Sequence, residues 1–416
     1  MNNWLIEQLL RLNMSEALVK PEGFTREGYT DEETAAIAAF KAIAEELGLA
    51  VSEDAAGNVL ARWEVDGGLT AAVATGSHLD TVPNGGAFDG AAGVICSLGA
   101  VKLLKEADYS PQRPIEVICF RSEESSRFGV STLGSKAMSG LLDPAIGSLE
   151  DQNGITIEEA VKRQGYSWQD MVASKRRKEE LKCFVELHIE QGLHIVQHHK
   201  NYGVVKAVAC PIRLAVTITG KAGHTGTTPM DRRQDALVAA APLISFVRET
   251  ALQLNAAYDT ALVATVSTLT AAPNSMNVIP QSVTAGIDIR SVDDDLKKKM
   301  ADAIRNECKR IEEIFGVAIA IDVLVNNPSI ALDEEMAQSL ADAGNHEAYL
   351  PHRMDSGAGH DVMNMAQAWP SGLIFIPCKD GLSHHPDEYA TPDDLKMGVE
   401  LLARFLVEAT QDGREG

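Results

Sequence analysis

Two textures of apolar segment run through this 416-residue chain, and their order constrains the fold more than any other feature. AAVATGS (71–77), PIEVICF (114–120), CFVEL (183–187) and LIFIP (373–377) are nearly continuous apolar runs. Such runs read as strands buried on both faces. Helical patterns alternate with them, over 32–47 (stopped by Gly48), 91–106, 333–344 and 393–411. That alternation predicts an α/β fold with a mostly parallel central sheet. Between about 211 and 328 the texture changes. RLAVTITG (213–220) alternates as a half-exposed strand, and is followed by a long helix over 232–250 and strands at 263–271 and 282–290. A charged helix at 292–315 and the strand VAIAIDVLV (317–325) close the segment. The chain therefore reads as one α/β domain, 1–210 plus 329–416, interrupted by a smaller α+β domain at 211–328.

Composition narrows the partners. Lys and Arg total 37 against 59 Asp and Glu, a formal net charge of −22. Nucleic acid and anionic membranes attract basic surface, so neither is expected as a main partner. The chain is 45% hydrophobic and 23% charged, which excludes a disordered chain or a coiled coil. Trp4, Leu5, Leu9 and Leu12 recur at helical spacing, while Glu7 and Arg11 interrupt the apolar positions. The start thus reads as an amphipathic helix and not as a signal peptide. No uninterrupted apolar run approaches the ~18 residues of a membrane span. Six scattered cysteines without a CxxC read as buried thiols, and cytoplasmic residence is expected.

Four segments concentrate His, Asp or Glu just past an apolar strand: GSHLDTVPNGGAFDG (76–90), RSEESSRF (121–128), ELHIEQG (186–192) and DGLSHHPDEY (380–389). Sites in open α/β sheets gather beyond the carboxyl ends of strands. His78, Asp80, Asp89, Glu123, Glu124, His188, His384 and His385 supply mixed imidazole and carboxylate, the ligand chemistry of zinc, manganese, cobalt or nickel. In Glu123-Glu124 one acid can coordinate while its neighbour handles protons. His194, His198 and His199 read as solvent-exposed.

Together these segments resemble the peptidase M20 metallohydrolases, and more narrowly their hydantoinase/carbamoylase branch of N-carbamoyl-L-amino-acid hydrolases, β-ureidopropionases and allantoate amidohydrolases. EESSRFG is similar to the branch's EEGSRF, and FVELHIEQG to its signature. GKAGHTGTTPMDRRQDAL resembles the lid motif HAGTTPM, and PNSMNVIP, DIR, SGAGHD and GLSHHPDEY complete the set.

The resemblance implies two divalent ions per subunit. His78 and His188 would ligate on one side, Asp89 would bridge, and Glu124 and His384 would ligate the second ion. Asp80 would orient His78, and Glu123 would be the general base. His224 would support the oxyanion, often from the other subunit of a homodimer formed through the inserted lid domain. Asn277 and Arg290 would hold a substrate carboxylate, with Gln191, Gly359 and His360 as further contacts. The implied reaction is hydrolysis of a small anionic ureido substrate, an N-carbamoyl-L-amino acid ahead of allantoate. A non-catalytic binding homologue is the rival from another class, and the retained Glu123 speaks against it.

Three positions depart from the branch pattern. Ser125 replaces its usual Gly, which would strain a turn needing positive φ. Thr225 replaces an Ala of the lid motif. His385 follows His384 where a small residue is common, leaving open which of the two binds metal.

Overall fold

The computed structural model describes residues 1–411. The chain divides into two compact units. The first comprises Met1–Lys206, Leu332–Met354 and the segment from His360 onward; the second comprises Ala207–Ala331 and Asp355–Gly359.

The larger sheet has nine strands, most of them in the first unit. Its spatial order is Ala50–Glu53, Val59–Trp63, Ile115–Phe120, Ala72–His78, Leu181–Ile189, Ser371–Ile376, Tyr202–Val208 and Ile330–Ala331, with Pro351–Ser356 also pairing Tyr202–Val208. The four middle strands, Ile115–Phe120 through Ser371–Ile376, are parallel. The flanking pairs are antiparallel. The four parallel strands are the four apolar runs of the sequence. Three of them are buried at every position, because helices cover both faces. The flanking strands Val59–Trp63 and Tyr202–Val208 were not revealed by the sequence pattern.

Helix Ala91–Glu106 packs on Ala72–His78, on Leu181–Ile189 and on the closing helix Pro392–Gln411. The N-terminal helix Asn2–Leu12 turns Leu5, Leu9 and Leu12 into the core, each fully buried. Burial of each contributes about 1.5–3 kcal/mol. Helix Asp31–Glu46 starts where Thr30 accepts the amide proton of Glu33, a normal N-cap.

In the second unit the sheet order is Ala318–Asn326, Ile212–Thr219, Ser282–Arg290 and Val263–Ala272, all antiparallel. Helices Ala236–Ala257 and Asp294–Phe315 cover one face. The first helix starts later than the expected 232, because Asp235 caps it by accepting the amides of Leu237 and Val238. By length and composition this helix could cross a bilayer, although Arg248 and Glu249 interrupt its apolar run. Its Ala236, Ala239, Ala240, Leu243, Val247 and Ala251 are buried in the unit's core, along one side of the helix. Leu237, Val238, Ile244 and Leu252 are exposed on the other side.

Lys297 is a fully buried cation of this unit. Its ammonium donates to the Cys210 and Asn327 carbonyls and to Ser329 Oγ, and pairs with Asp294. It thereby joins the segment where the chain enters the unit to the segment where it leaves.

Candidate metal centre

Each site side chain of the first unit sits at the carboxyl end of a parallel strand or in the loop just after it. His78 ends Ala72–His78 and His188 lies near the end of Leu181–Ile189. Glu123 and Glu124 follow Ile115–Phe120, and His384 follows Ser371–Ile376. Close approach of the loops depends on glycine at two points. A Cβ at Gly90, whose φ is +64°, would lie 2.6 Å from the His78 ring. A Cβ at Gly86 would lie 2.3 Å from Glu388.

Asp89 is the centre of the arrangement. Its Oδ1 lies 3.1 Å from His188 Nε2 and 3.5 Å from His78 Nε2. Its Oδ2 lies 3.5 Å from His384 Nε2, whose ring is 3.3 Å from Glu124 Oε1. Two donor groups result, His78–Asp89–His188 and Asp89–Glu124–His384, sharing Asp89. The Nδ1 atoms of His78 and His188 face the carbonyl oxygens of Asp80 and Ile189. Donating there leaves the Nε2 lone pairs turned toward Asp89, the tautomer that metal binding needs.

His384 joins the cluster and His385 does not. His385 is exposed and faces Asp387 and its amide. The choice between these neighbours rests on the backbone, since His384 has φ of +55°. Ser122 and Gln191 also adopt positive φ. Ser125 does not, so the expected strain there is absent, and the left-handed residue of that turn is Ser122.

Asp80 does more than face His78. Its Oδ1, 3.3 Å from His78 Nδ1, accepts the Glu123 amide, and its Oδ2 accepts the Glu124 amide. One carboxylate thus sets the position of both glutamates. Glu123 Oε2 reaches to 3.9 Å from His78 Nε2. Burial pushes the Glu123 carboxyl well above the ordinary carboxylate range; His78 opposes the shift and Glu124 reinforces it.

The donor set fits a metal ion. Seven carboxylates crowd this region and all are buried: Asp80, Asp89, Glu123, Glu124, Glu186, Asp361 and Glu388. Uncompensated buried carboxylates repel one another and are desolvated, so bound cations are what such a cluster accommodates. His360 is buried beside His188, ring centroids 4.6 Å apart, and its Nε2 has no hydrogen-bond partner among the described residues. That atom is available to a ligand or water.

Several of these groups were given no role from the sequence. Glu388 accepts the amides of Phe88 and Asp89, and Glu186 accepts from Ser77 and from the Val362 amide. Glu33 accepts the amides of Tyr29 and Ser122 and pairs with Arg121 at 2.7 Å, all buried. This pair braces the residues immediately before Glu123. Replacing Arg121 by methionine strands the Glu33 charge. It should lower stability by about 3–5 kcal/mol, read as a drop in urea midpoint at unchanged slope.

The remaining expected site residues lie in other surroundings. Gln191 directs its amide to Asp89 Oδ2, at 2.7 Å. His224, Asn277, Arg290 and Gly359 belong to the second unit. His224 and Asn277 are exposed, and the His224 and Val278 backbones form an isolated bridge. Arg290 donates to Asp288 and to the Gly357 carbonyl, so its fork is held in an internal salt bridge. His194, His198 and His199 are exposed, as expected, with His198 stacked on His352.

Parallel strands ending in a shared His/Asp/Glu cluster fit a metal-dependent hydrolase. The sequence pattern of Peptidase family M20/M25/M40 matches residues 74–408, and the chain belongs to that family. An N-carbamoyl-L-amino-acid amidohydrolase from Paenarthrobacter aurescens is 37% identical over 96% of both chains. A ureidoglycolate hydrolase from Oryza sativa is 36% identical, over 91% of this chain and 79% of its own. The Escherichia coli allantoate amidohydrolase is 32% identical over 93% of each. A crystal structure of a hydantoinase/carbamoylase family amidase from Burkholderia multivorans superposes with a TM-score of 0.87 at 32% identity, over 99% of this chain and 98% of that one. The chain is an amidohydrolase, cleaving C–N bonds.

Proposed function

We propose that the protein is a dinuclear metal-dependent amidohydrolase that removes the carbamoyl group of an N-carbamoyl-L-amino acid, releasing the amino acid, carbon dioxide and ammonia. One observation carries the dinuclear reading. Asp89 turns one oxygen to His78 and His188 and the other to His384, which is paired with Glu124. Zinc, manganese, cobalt or nickel ions there would polarise the ureido carbonyl and lower the pKa of water.

The chain's own residues supply the proton chemistry. Glu123 lies beside the first donor group but outside both. A carboxylate placed there accepts a proton from the attacking water and delivers it to the leaving nitrogen as the C–N bond breaks. Asp80 fixes Glu123 for that task through its backbone amide. His360, with its free buried Nε2, and Gln191 are proposed substrate contacts. Asn277, Arg290 and Gly359 are proposed on the family resemblance to bind the substrate's carboxylate end. His224 is proposed to stabilise the developing oxyanion. His224→Ala should lower turnover with metal content unchanged; unchanged turnover would remove it from that role.

We also propose a homodimer through the second unit. Val263–Ala272 is an edge strand, and Val263, Leu269 and Met276 are exposed. Light scattering should report twice the monomer mass; a monomer at micromolar concentration would count against this. Cytoplasmic residence is proposed from the six scattered, buried cysteines, which include no CxxC.

The substrate test is ammonia release with added Zn, Mn, Co or Ni. N-carbamoyl-L-amino acids would be compared with allantoate, ureidoglycolate and N-carbamoyl-β-alanine. The reading expects the highest kcat/KM for an N-carbamoyl-L-amino acid. A clear preference for allantoate or ureidoglycolate would move the chain to purine-ureide breakdown on the same scaffold.

A further inference from the structure

We infer that Ser383 is a positioning residue for Asp89, and that it sets which oxygen of Asp89 faces each donor group. The inference rests on the proposed metal-binding role of Asp89. Ser383 touches side chains from three of the loops that meet at the site. Its hydroxyl donates to Asp89 Oδ2 at 2.6 Å. It lies 3.1 Å from Glu388 Oε2 and accepts from Gln191 Nε2 at 3.2 Å. Glu388 is fully buried, and its Oε1 accepts the amides of Phe88 and Asp89 at 2.9 and 2.8 Å. One glutamate therefore holds the Asp89 backbone at one end and contacts the hydroxyl on the Asp89 side chain at the other.

A carboxylate shared by two donor groups must keep its plane fixed, because rotation about Cβ–Cγ would take each oxygen from its partners. On the Oδ1 side the His78 and His188 rings define the position. On the Oδ2 side two donors do, Ser383 and Gln191. A carboxylate oxygen offers about two lone-pair positions, so Oδ2 cannot hold both donors and a cation at once. Ser383 is the donor that stays, because it adjoins His384 in the loop that carries the second donor group. Gln191 is the donor that leaves, and its amide is then free for substrate.

Outer hydrogen-bond partners of metal ligands are worth about tenfold to a hundredfold in metal affinity. Competition between the full-length protein and a chromophoric chelator for Zn²⁺ tests the inference. Ser383→Ala should weaken zinc binding by about that factor, with the metal-free unfolding midpoint unchanged and Ser383→Thr restoring affinity. Gln191→Ala should bind zinc like the wild type. Wild-type affinity in Ser383→Ala, or an equal loss in Gln191→Ala, would overturn the inference. Asp89→Asn separates this from the underlying reading. If Asp89→Asn loses zinc while Ser383→Ala keeps it, the positioning role alone fails. If Asp89→Asn also keeps zinc, the metal-binding role of Asp89 fails first.

Discussion

Glu123→Gln is expected to keep the fold and the bound metal while turnover falls by about 10²–10⁴-fold, the usual contribution of a positioned proton-transfer group. Glutamine preserves the shape of the side chain, and the Asp80–amide contact that positions residue 123 is made by backbone and is untouched. Only the ability to take a proton is removed. Glu124→Gln should behave differently. Glu124 pairs with His384 in the second donor group, so its loss should reduce metal content as well as turnover. The contrast between adjacent glutamates is the informative result. Metal analysis by atomic emission beside steady-state kinetics reads it. Activity within a few-fold of wild type in Glu123→Gln would take the residue out of the base role.

Metal removal should have the second large effect. Dialysis against a strong chelator is expected to reduce turnover at least about a thousandfold. That is about 4 kcal/mol at 1.4 kcal/mol per tenfold, within the several kcal/mol that Lewis-acid catalysis supplies. Adding back a divalent ion should restore it. The cause lies in the charge of the site. Seven buried carboxylates crowd three buried histidines, His78, His188 and His360, and without cations these acids repel one another. The chelated protein should accordingly show a lower unfolding midpoint than the loaded one, because a ligand that binds only the native state stabilises it by mass action. Full activity after exhaustive chelation, with metal verified absent, would contradict the account.

How much of this was legible in the sequence follows from where each signal lies. The four parallel strands were readable because burial on both faces makes them continuous apolar runs. The residues beyond them stood out because His, Asp and Glu follow such runs abruptly. Glu388, Glu186 and Asp361 lie within the segments singled out and Glu33 outside them, but none was given a role. Their burial is set by backbone amides or side chains distant in the chain, which no local pattern marks. The amides of Phe88 and Asp89 that hold Glu388 lie about 300 residues away. Asp80 was read as a partner of His78, while its larger structural part, the cradle for Glu123 and Glu124, is a tertiary contact. The choice of His384 over His385 depends on a left-handed backbone that neither side chain announces. Arg290, expected from the resemblance to hold a substrate carboxylate, makes a strand-end salt bridge with Asp288 in this structure.

The net charge of −22 also takes a definite place. An acidic protein with an anionic substrate needs local positive charge, and the field near the site, not the total, must recruit the substrate. Bound cations at Asp89 would provide it.

The most direct test of the central claim is anomalous diffraction from crystals soaked in zinc, with data collected on both sides of the zinc edge. The account predicts two peaks flanking Asp89, one against His78 and His188 and the other against Glu124 and His384. A single peak away from Asp89, or none in crystals that bind zinc in solution, would contradict it.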